Sequence, residues 1–124
     1  MSMANYLETA LMDAVANSIA YDNNGGMFVK LHIGDPGEAG TSNAAGETTR
    51  KQLTNAASSG GVFTSVNDLV WTNVSTTETI SYISVWDASS AGNCLFTGAL
   101  TASKAVTAGD TFTIATGSLT LTFD

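Results

Sequence analysis

Apolar residues recur at every fourth position near the start of the chain, which is the spacing of one helix face. Asn5 is suited to cap this helix, and Glu8 three residues later completes a capping box. The pattern predicts a helix over 4–22, ended by the turn-forming residues 22–26. Because the stripe is narrow, we expect the helix to pack against one surface, either the protein's own sheet or a neighbouring subunit. The stripe consists of Leu7, Leu11, Val15 and Ile19.

After Gly26 the apolar period changes to two, which is the period of a β-strand. Val29, Leu31 and Ile33 form the apolar face of the first strand, and His32 lies on its other face. Turn signals then recur about every 8–12 residues, a spacing typical of β-sandwiches. The predicted strands are 28–33, 50–54, 62–66, 69–74, 80–86, 94–100, 104–106, 111–114 and 118–123.

These elements predict a mostly β fold. We expect a single-domain antiparallel β-sandwich, jelly-roll-like, over residues 1–124, with one N-terminal α-helix and the sandwich over 27–124. One strand carries large apolar groups on both faces, with Ile80, Tyr82 and Trp86 on one and Ile83 and Val85 on the other. A strand covered on both faces is expected at the centre of a sheet.

Charged residues make up 12% of the chain, about half the usual share of roughly 25%. The net charge is −7, which argues against binding to nucleic acid or to an anionic membrane surface. The chain begins without the features of a signal peptide, and no apolar run reaches the roughly 20 residues that span a bilayer. Cys94 is the single cysteine, so an internal disulfide is excluded and a small buried side chain is expected.

The sequence contains few groups that could carry catalysis. His32 is the only histidine, and no Gly-x-Ser-x-Gly nucleophile motif accompanies it. Most acidic residues fall in predicted turns, where carboxylates usually cap backbone amides. Trp71 and Trp86 could form a sugar-stacking platform, but their apolar strand neighbours favour burial in the core. We therefore predict a protein without enzymatic activity and without a cofactor.

A long loop without bulky side chains covers residues 38–47, and it is the natural candidate for a contact arm. Asp35, Glu38 and Glu47 lie in or beside it and offer the hard oxygen ligands that Ca²⁺ prefers. Their spacing does not match an EF-hand. The three residues are a weak candidate for a calcium site.

Several segments form a recognisable set. Residues 31–41 combine a strand end with a Gly-Asp-Pro-Gly turn, and Arg50 opens the next strand. The segments 85–88, 98–101 and 107–112 complete the pattern. Together with the N-terminal helix, they resemble a family of small tailed-phage virion proteins, often labelled tail-fibre-like or minor structural proteins. The resemblance implies a virion component with no chemistry of its own.

The leading hypothesis is a capsid decoration or cement-type protein that forms a homo-oligomer on the major capsid protein. The alternative is a tail, neck or fibre accessory protein, bound to another virion protein and in contact with a host glycan; a hydrolase or lectin-like module comes third. For Arg50, both an interface role and an internal pairing with a turn carboxylate stay open. The candidate interface residues are Leu7, Leu11, Val15, Asp35, Pro36, Glu38 and Arg50.

Overall fold

A computed structural model describes residues 1–22, 25–54 and 57–122 of the chain. The predicted turn residues Asn23 and Asn24 and the strand residue Phe123 lie outside this part. The described residues form one helix, α1 (Asn5–Asn17), and nine strands. The strands are β1 (Ser2–Met3), β2 (Met27–His32), β3 (Lys51–Leu53), β4 (Val62–Thr64), β5 (Leu69–Trp71), β6 (Glu78–Trp86), β7 (Cys94–Val106), β8 (Phe112–Ile114) and β9 (Thr120–Thr122).

All strand pairs are antiparallel. Five strands form the main sheet in the order β1-β7-β6-β2-β3, and two further ladders pair β4 with β9 and β5 with β8. The predicted mostly β, antiparallel fold with a single N-terminal helix is confirmed, as is the central place of β6. The jelly-roll connection and the extent of the domain over 1–124 stay predictions.

The core lies between the inner face of the main sheet and the two ladders. Val29 and Leu31 of β2 and Val85 of β6 are fully buried, because alternate residues of a strand face the same side. Trp71 and Leu121 from the ladders belong to the same cluster. The sandwich therefore owes its packing to the alternation that the sequence shows.

Ile33 and Ile80 lie elsewhere than predicted. Ile33 is 48% exposed, because β2 already ends at His32. Ile80 is buried in the main core with Ile83 and Val85, not on the face of Trp86. The register explains this: between the pairs Ile80–Lys104 and Tyr82–Ala99, β7 has four residues where β6 has only one. The ladder is irregular at this bulge, so the simple alternation of faces assumed for 80–86 does not hold across it. The predicted strands 94–100 and 104–106 form one strand, β7.

The N-terminus of α1 differs from the predicted capping box. Ala4 is the N-cap residue, and no side chain caps the helix. Ala4 is buried, and its N–H donates to the carbonyl of Leu95 at 2.8 Å, which fixes the helix start one residue earlier than Asn5 would. The prediction that Asn5 caps the helix with Glu8 is therefore wrong.

The helix is also shorter than predicted. It ends at Asn17, where Ser18 takes a left-handed conformation with φ of 56° and Ile19 donates its N–H to the carbonyl of Asp13. Leu7 is buried and Leu11 packs against the core, but Val15 is 84% exposed. Only the first half of the predicted stripe thus contacts the sheet. Among the described residues, no helix is long and apolar enough to cross a membrane.

Candidate functional site

The loop after β2 covers the outer face of the main sheet. Ile33 donates its N–H to the carbonyl of Asn43 at 2.9 Å, and Ala45 donates to the carbonyl of Leu31 at 3.1 Å. The carboxylate of Glu78 then accepts the amides of Gly46 and Glu47, at 2.9 and 3.2 Å. The predicted contact arm is thereby held against the protein's own sheet along its length. Its role in contacts with other proteins stays a prediction.

A buried polar network lies beneath this loop. One ring nitrogen of His32, Nδ1, is 2.9 Å from the carbonyl of Ser42, and the other, Nε2, is 2.7 Å from Oγ of Ser84. The indole N–H of Trp86 donates to the same Oγ at 2.7 Å. Because a carbonyl can only accept, the neutral ring carries its proton on Nδ1. The Ser84 hydroxyl then donates to Nε2, and every polar atom of the network has a partner.

The pair of His32 and Ser84 has the contact of a catalytic dyad, but its surroundings give it a structural role. Both residues are 0% exposed. The hydroxyl oxygen of Ser84 already accepts from Trp86, and the loop carbonyl of Ser42 holds the far side of the ring. A nucleophile must be reachable by its substrate. The network therefore fixes the loop on the sheet and does not form an open active site.

Burial of His32 makes the stability of the protein depend on pH. Burial lowers the pKa of His32 below its ordinary value of 6.5, and the hydrogen bond to Ser42 opposes this in part. Below about pH 6.5 the unfolded chain binds a proton that the folded chain does not bind, so acid favours unfolding. We expect the free energy of unfolding to fall as the pH drops through this value, and to level off below the lowered pKa.

Urea unfolding between about pH 7.5 and about pH 5 tests this expectation. The His32→Gln variant, which cannot titrate there, is the control and should lack this part of the pH dependence. Equal slopes for the two proteins, or a gain in stability on acidification, would contradict the assignment of a buried neutral ring.

The guanidinium of Arg50 lies over the ring face of Trp86. Its guanidinium carbon lies 4.2 Å from the centre of the ring, and Nη1 donates to the carbonyls of Ala88 and Ala91 at 2.8 and 2.7 Å. A cation in this position is attracted by the ring face. Of the two hypotheses for Arg50, the internal one has a geometric basis, although the hydrogen-bond partners are turn carbonyls and not a carboxylate. Burial lowers the pKa of Arg50.

Cys94 lies under the loop beside Trp86. It is 5% exposed, and burial raises the pKa of its thiol to about 11. The predicted burial of Cys94 is confirmed, as is that of Trp71 and Trp86. A buried indole offers no open platform for stacking a sugar, so neither tryptophan forms one by itself.

Two of the three carboxylates of the predicted calcium candidate accept hydrogen bonds from backbone amides. Asp35 accepts the amide of Gly37 at 2.9 Å, and Glu47 accepts the amides of Thr49 and Ser75 at 3.2 Å. Glu38 is exposed. Within residues 1–22, 25–54 and 57–122, no three His, Cys, Asp or Glu side chains are close enough to hold a metal ion together. The predicted capping by turn carboxylates is confirmed for Asp35 and Glu47.

A pocket of about 340 Å³ opens between the loop, the start of α1 and the end of the turn before β7. Of its wall residues, the sequence pointed to Glu38 and Trp86 as candidates for binding, and to Asn5 and Cys94 only for structural roles. The polar and aromatic side chains in its wall are Asn5, Tyr6, Glu38, Thr41, Trp86 and Asn93.

A family model described as Gp80, Podophage GP4 fiber I protein gp80, matches residues 2–122. The chain belongs to this family. No curated protein matches the chain significantly. Membership in a podophage fibre family makes the chain a structural component of a phage particle. This membership agrees with the predicted role as a virion protein. It does not distinguish a protein of the fibre from one that decorates the capsid.

The candidate interface residues of this fibre-family protein are spread over its surface and interior. Leu7 and Pro36 are buried and Leu11 and Arg50 are partly buried, so these four side chains contribute to the protein's own fold. The side chains available to a partner without rearrangement are Val15, Asp35 and Glu38. Their part in an interface stays a prediction.

Proposed function

We propose that the protein is a non-enzymatic fibre component of a podophage particle, present in several copies and attached to a larger virion protein. The observation that carries the proposal is the match of the podophage fibre family to residues 2–122. The buried state of the His32–Ser84 pair supports a role without catalysis, since the contact that most resembles a catalytic dyad is closed to substrate.

Attachment through the second half of α1 is part of this proposal. Met12 is 66% exposed and Val15 is 84% exposed, and their spacing of three residues makes them neighbours on the helix surface. Exposed apolar side chains that lie together on a surface favour contacts between proteins. A second copy of the chain or another virion protein would bury them.

Capsid decoration is the second candidate. The low charged fraction of 12% favours it, because few long charged side chains oppose close packing on a lattice. In that case the partner is the major capsid protein, and many weak contacts of a homo-oligomer would add up on the lattice.

The copy number per purified particle distinguishes the two positions. We expect quantitative mass spectrometry against the major capsid protein to give a handful to a few dozen copies, as for a fibre. Hundreds of copies would instead favour decoration, and complete absence from the particle would overturn a virion role. Particles made with Val15→Glu should retain fewer copies than particles made with Val66→Glu, a control at a residue that is 49% exposed and lies outside α1.

A further inference from the structure

The pocket beside α1 presents an exposed aromatic ring next to polar groups. Tyr6 is 41% exposed and stands on the first turn of the helix, at the mouth of the pocket. The edge of Trp86 and the methyl group of Ala39 add apolar wall. At about 340 Å³ the pocket lies at the small end of the range of about 300–1,000 Å³ typical of small-ligand sites.

Three polar side chains around this pocket make no hydrogen bond within the described part of the chain: the amide of Asn5, the carboxylate of Glu38 and the hydroxyl of Thr41. All three are exposed, so water satisfies them when the pocket is free. The amide and the carboxylate are planar groups that can hydrogen-bond two neighbouring hydroxyls of one ligand. Free hydrogen-bonding groups therefore lie on two walls of the same opening, the helix and the loop.

The walls of the pocket are held in place by contacts behind them. Asn93 donates its amide group to Asp87 at 3.0 Å and its backbone N–H to the same carboxylate at 2.7 Å. Arg50 and Ser84 fix Trp86, as described above. On the loop side, the amide of Asn43 donates to the carbonyl of Asp35 at 2.9 Å. Binding groups fixed in advance lose less entropy when a ligand arrives.

The charge of the pocket restricts the class of ligand. Among the described residues that line it, Glu38 is the one charged side chain, and the chain as a whole carries −7. An anionic ligand would meet a repelling carboxylate. The nearest guanidinium, that of Arg50, lies against the Trp86 ring and is already bonded to the carbonyls of Ala88 and Ala91. An apolar ligand would leave the amide and carboxylate without partners. A ring that carries hydroxyl groups and has one apolar face could hydrogen-bond the amide and the carboxylate and also stack on the aromatic wall.

We propose that this pocket binds a neutral saccharide, with its apolar ring face on Tyr6 and its hydroxyls on Asn5, Glu38 and Thr41. The proposal goes beyond the fibre role and does not depend on it, since binding is a property of the isolated protein. Each site is shallow and binds weakly, and several copies on one particle raise the overall affinity.

In the first experiment, beads that carry many copies of the full chain are applied to a glycan array. In the second, saturation-transfer NMR measures binding of methyl α-galactoside, methyl α-glucoside and N-acetylglucosamine to the full chain in solution. We expect at least one neutral saccharide to bind saturably. Tyr6→Ala and Asn5→Ala should each weaken that binding by about tenfold or more, the effect of an interaction at the centre of an interface. Tyr6→Phe keeps the ring and should retain binding.

Matched variants outside the pocket serve as controls. Met12→Ala removes an exposed side chain from the same helix as Tyr6→Ala. Glu38→Gln changes the carboxylate in the pocket and should weaken binding, whereas Glu8→Gln changes an exposed carboxylate outside it and should not. Circular dichroism shows whether each variant is folded. The proposal is overturned if no neutral saccharide binds, if galacturonate binds better than its neutral counterpart, or if Tyr6→Ala and Met12→Ala have equal effects. Copy number on the particle is independent of all three results, so the fibre role can fail separately.

Discussion

Replacement of Trp71 by alanine is expected to lower the free energy of unfolding by about 3–5 kcal/mol, the usual loss for a large aromatic side chain removed from a core. Trp71 is 1% exposed, and its ring packs against Phe112 of the neighbouring strand with 5.7 Å between the ring centres. Its indole N–H also donates to the carbonyl of Thr49 at 2.7 Å. The substitution thus leaves a cavity between ladder and sheet and an acceptor without its donor.

Urea unfolding followed by circular dichroism measures this loss, and Trp86 remains as a fluorescent reporter. Trp71→Phe is the matched control, because it keeps an aromatic ring against Phe112 and removes only the hydrogen bond and part of the volume. It should be clearly less destabilising than alanine. A loss below about 1 kcal/mol for Trp71→Ala would contradict the place of this side chain in the core.

The second large effect is expected at Gly40. Its φ of +71° lies in the left-handed region, and an added Cβ would overlap Sγ of Cys94 and come within 3.1 Å of the Trp86 ring. The left-handed backbone disfavours alanine by about 1–2 kcal/mol, and overpacking adds about 1–3 kcal/mol. We therefore expect Gly40→Ala to lower the free energy of unfolding by about 2–5 kcal/mol and to lift the loop from the sheet.

Gly37 provides the control within the same loop. Its φ is +72°, but the nearest atom to an added Cβ is Oγ of Ser42 at 3.7 Å, an ordinary contact. Gly37→Ala therefore isolates the backbone effect, and the difference between the two variants measures the collision. The rate at which Cys94 reacts with a thiol reagent reports the position of the loop, and it should rise in Gly40→Ala alone. Equal stabilities and equal rates would mean that the loop does not press on Cys94.

Most strands could be predicted from the sequence because they have one face toward the core, which leaves a period of two in the residues themselves. The two-residue strand β1 is too short to show a period and was not predicted. Ile80 was assigned to the wrong face because a bulge interrupts this period, and nothing in the residues of β6 alone marks where β7 carries its extra residues. The start of α1 was misplaced for a related reason. The hydrogen bond from Ala4 to Leu95 that sets it joins residues far apart in the chain.

The candidate site could be predicted only in part. The Gly-Asp-Pro-Gly turn and Arg50 belong to one recognisable pattern in the sequence, and in the fold Arg50 lies over the Trp86 ring. The partners of His32 were not predictable, because Ser84 reaches it only through the register of β2 on β6. The pocket was missed for the same reason, since Tyr6, Glu38 and Asn93 come from three segments that meet only after folding.

The pairing of β1 with β7 also bears on how copies are made during infection. Ser2 lies opposite Thr97 and Met3 opposite Phe96, so β1 can pair only after the more distant β7 has been synthesised. Such distant pairings close slowly, and folds dominated by them form in about milliseconds to seconds. A chain that stops before β7 lacks the strand that holds β1 and one neighbour of β6. The main sheet is therefore complete only in copies that include β7.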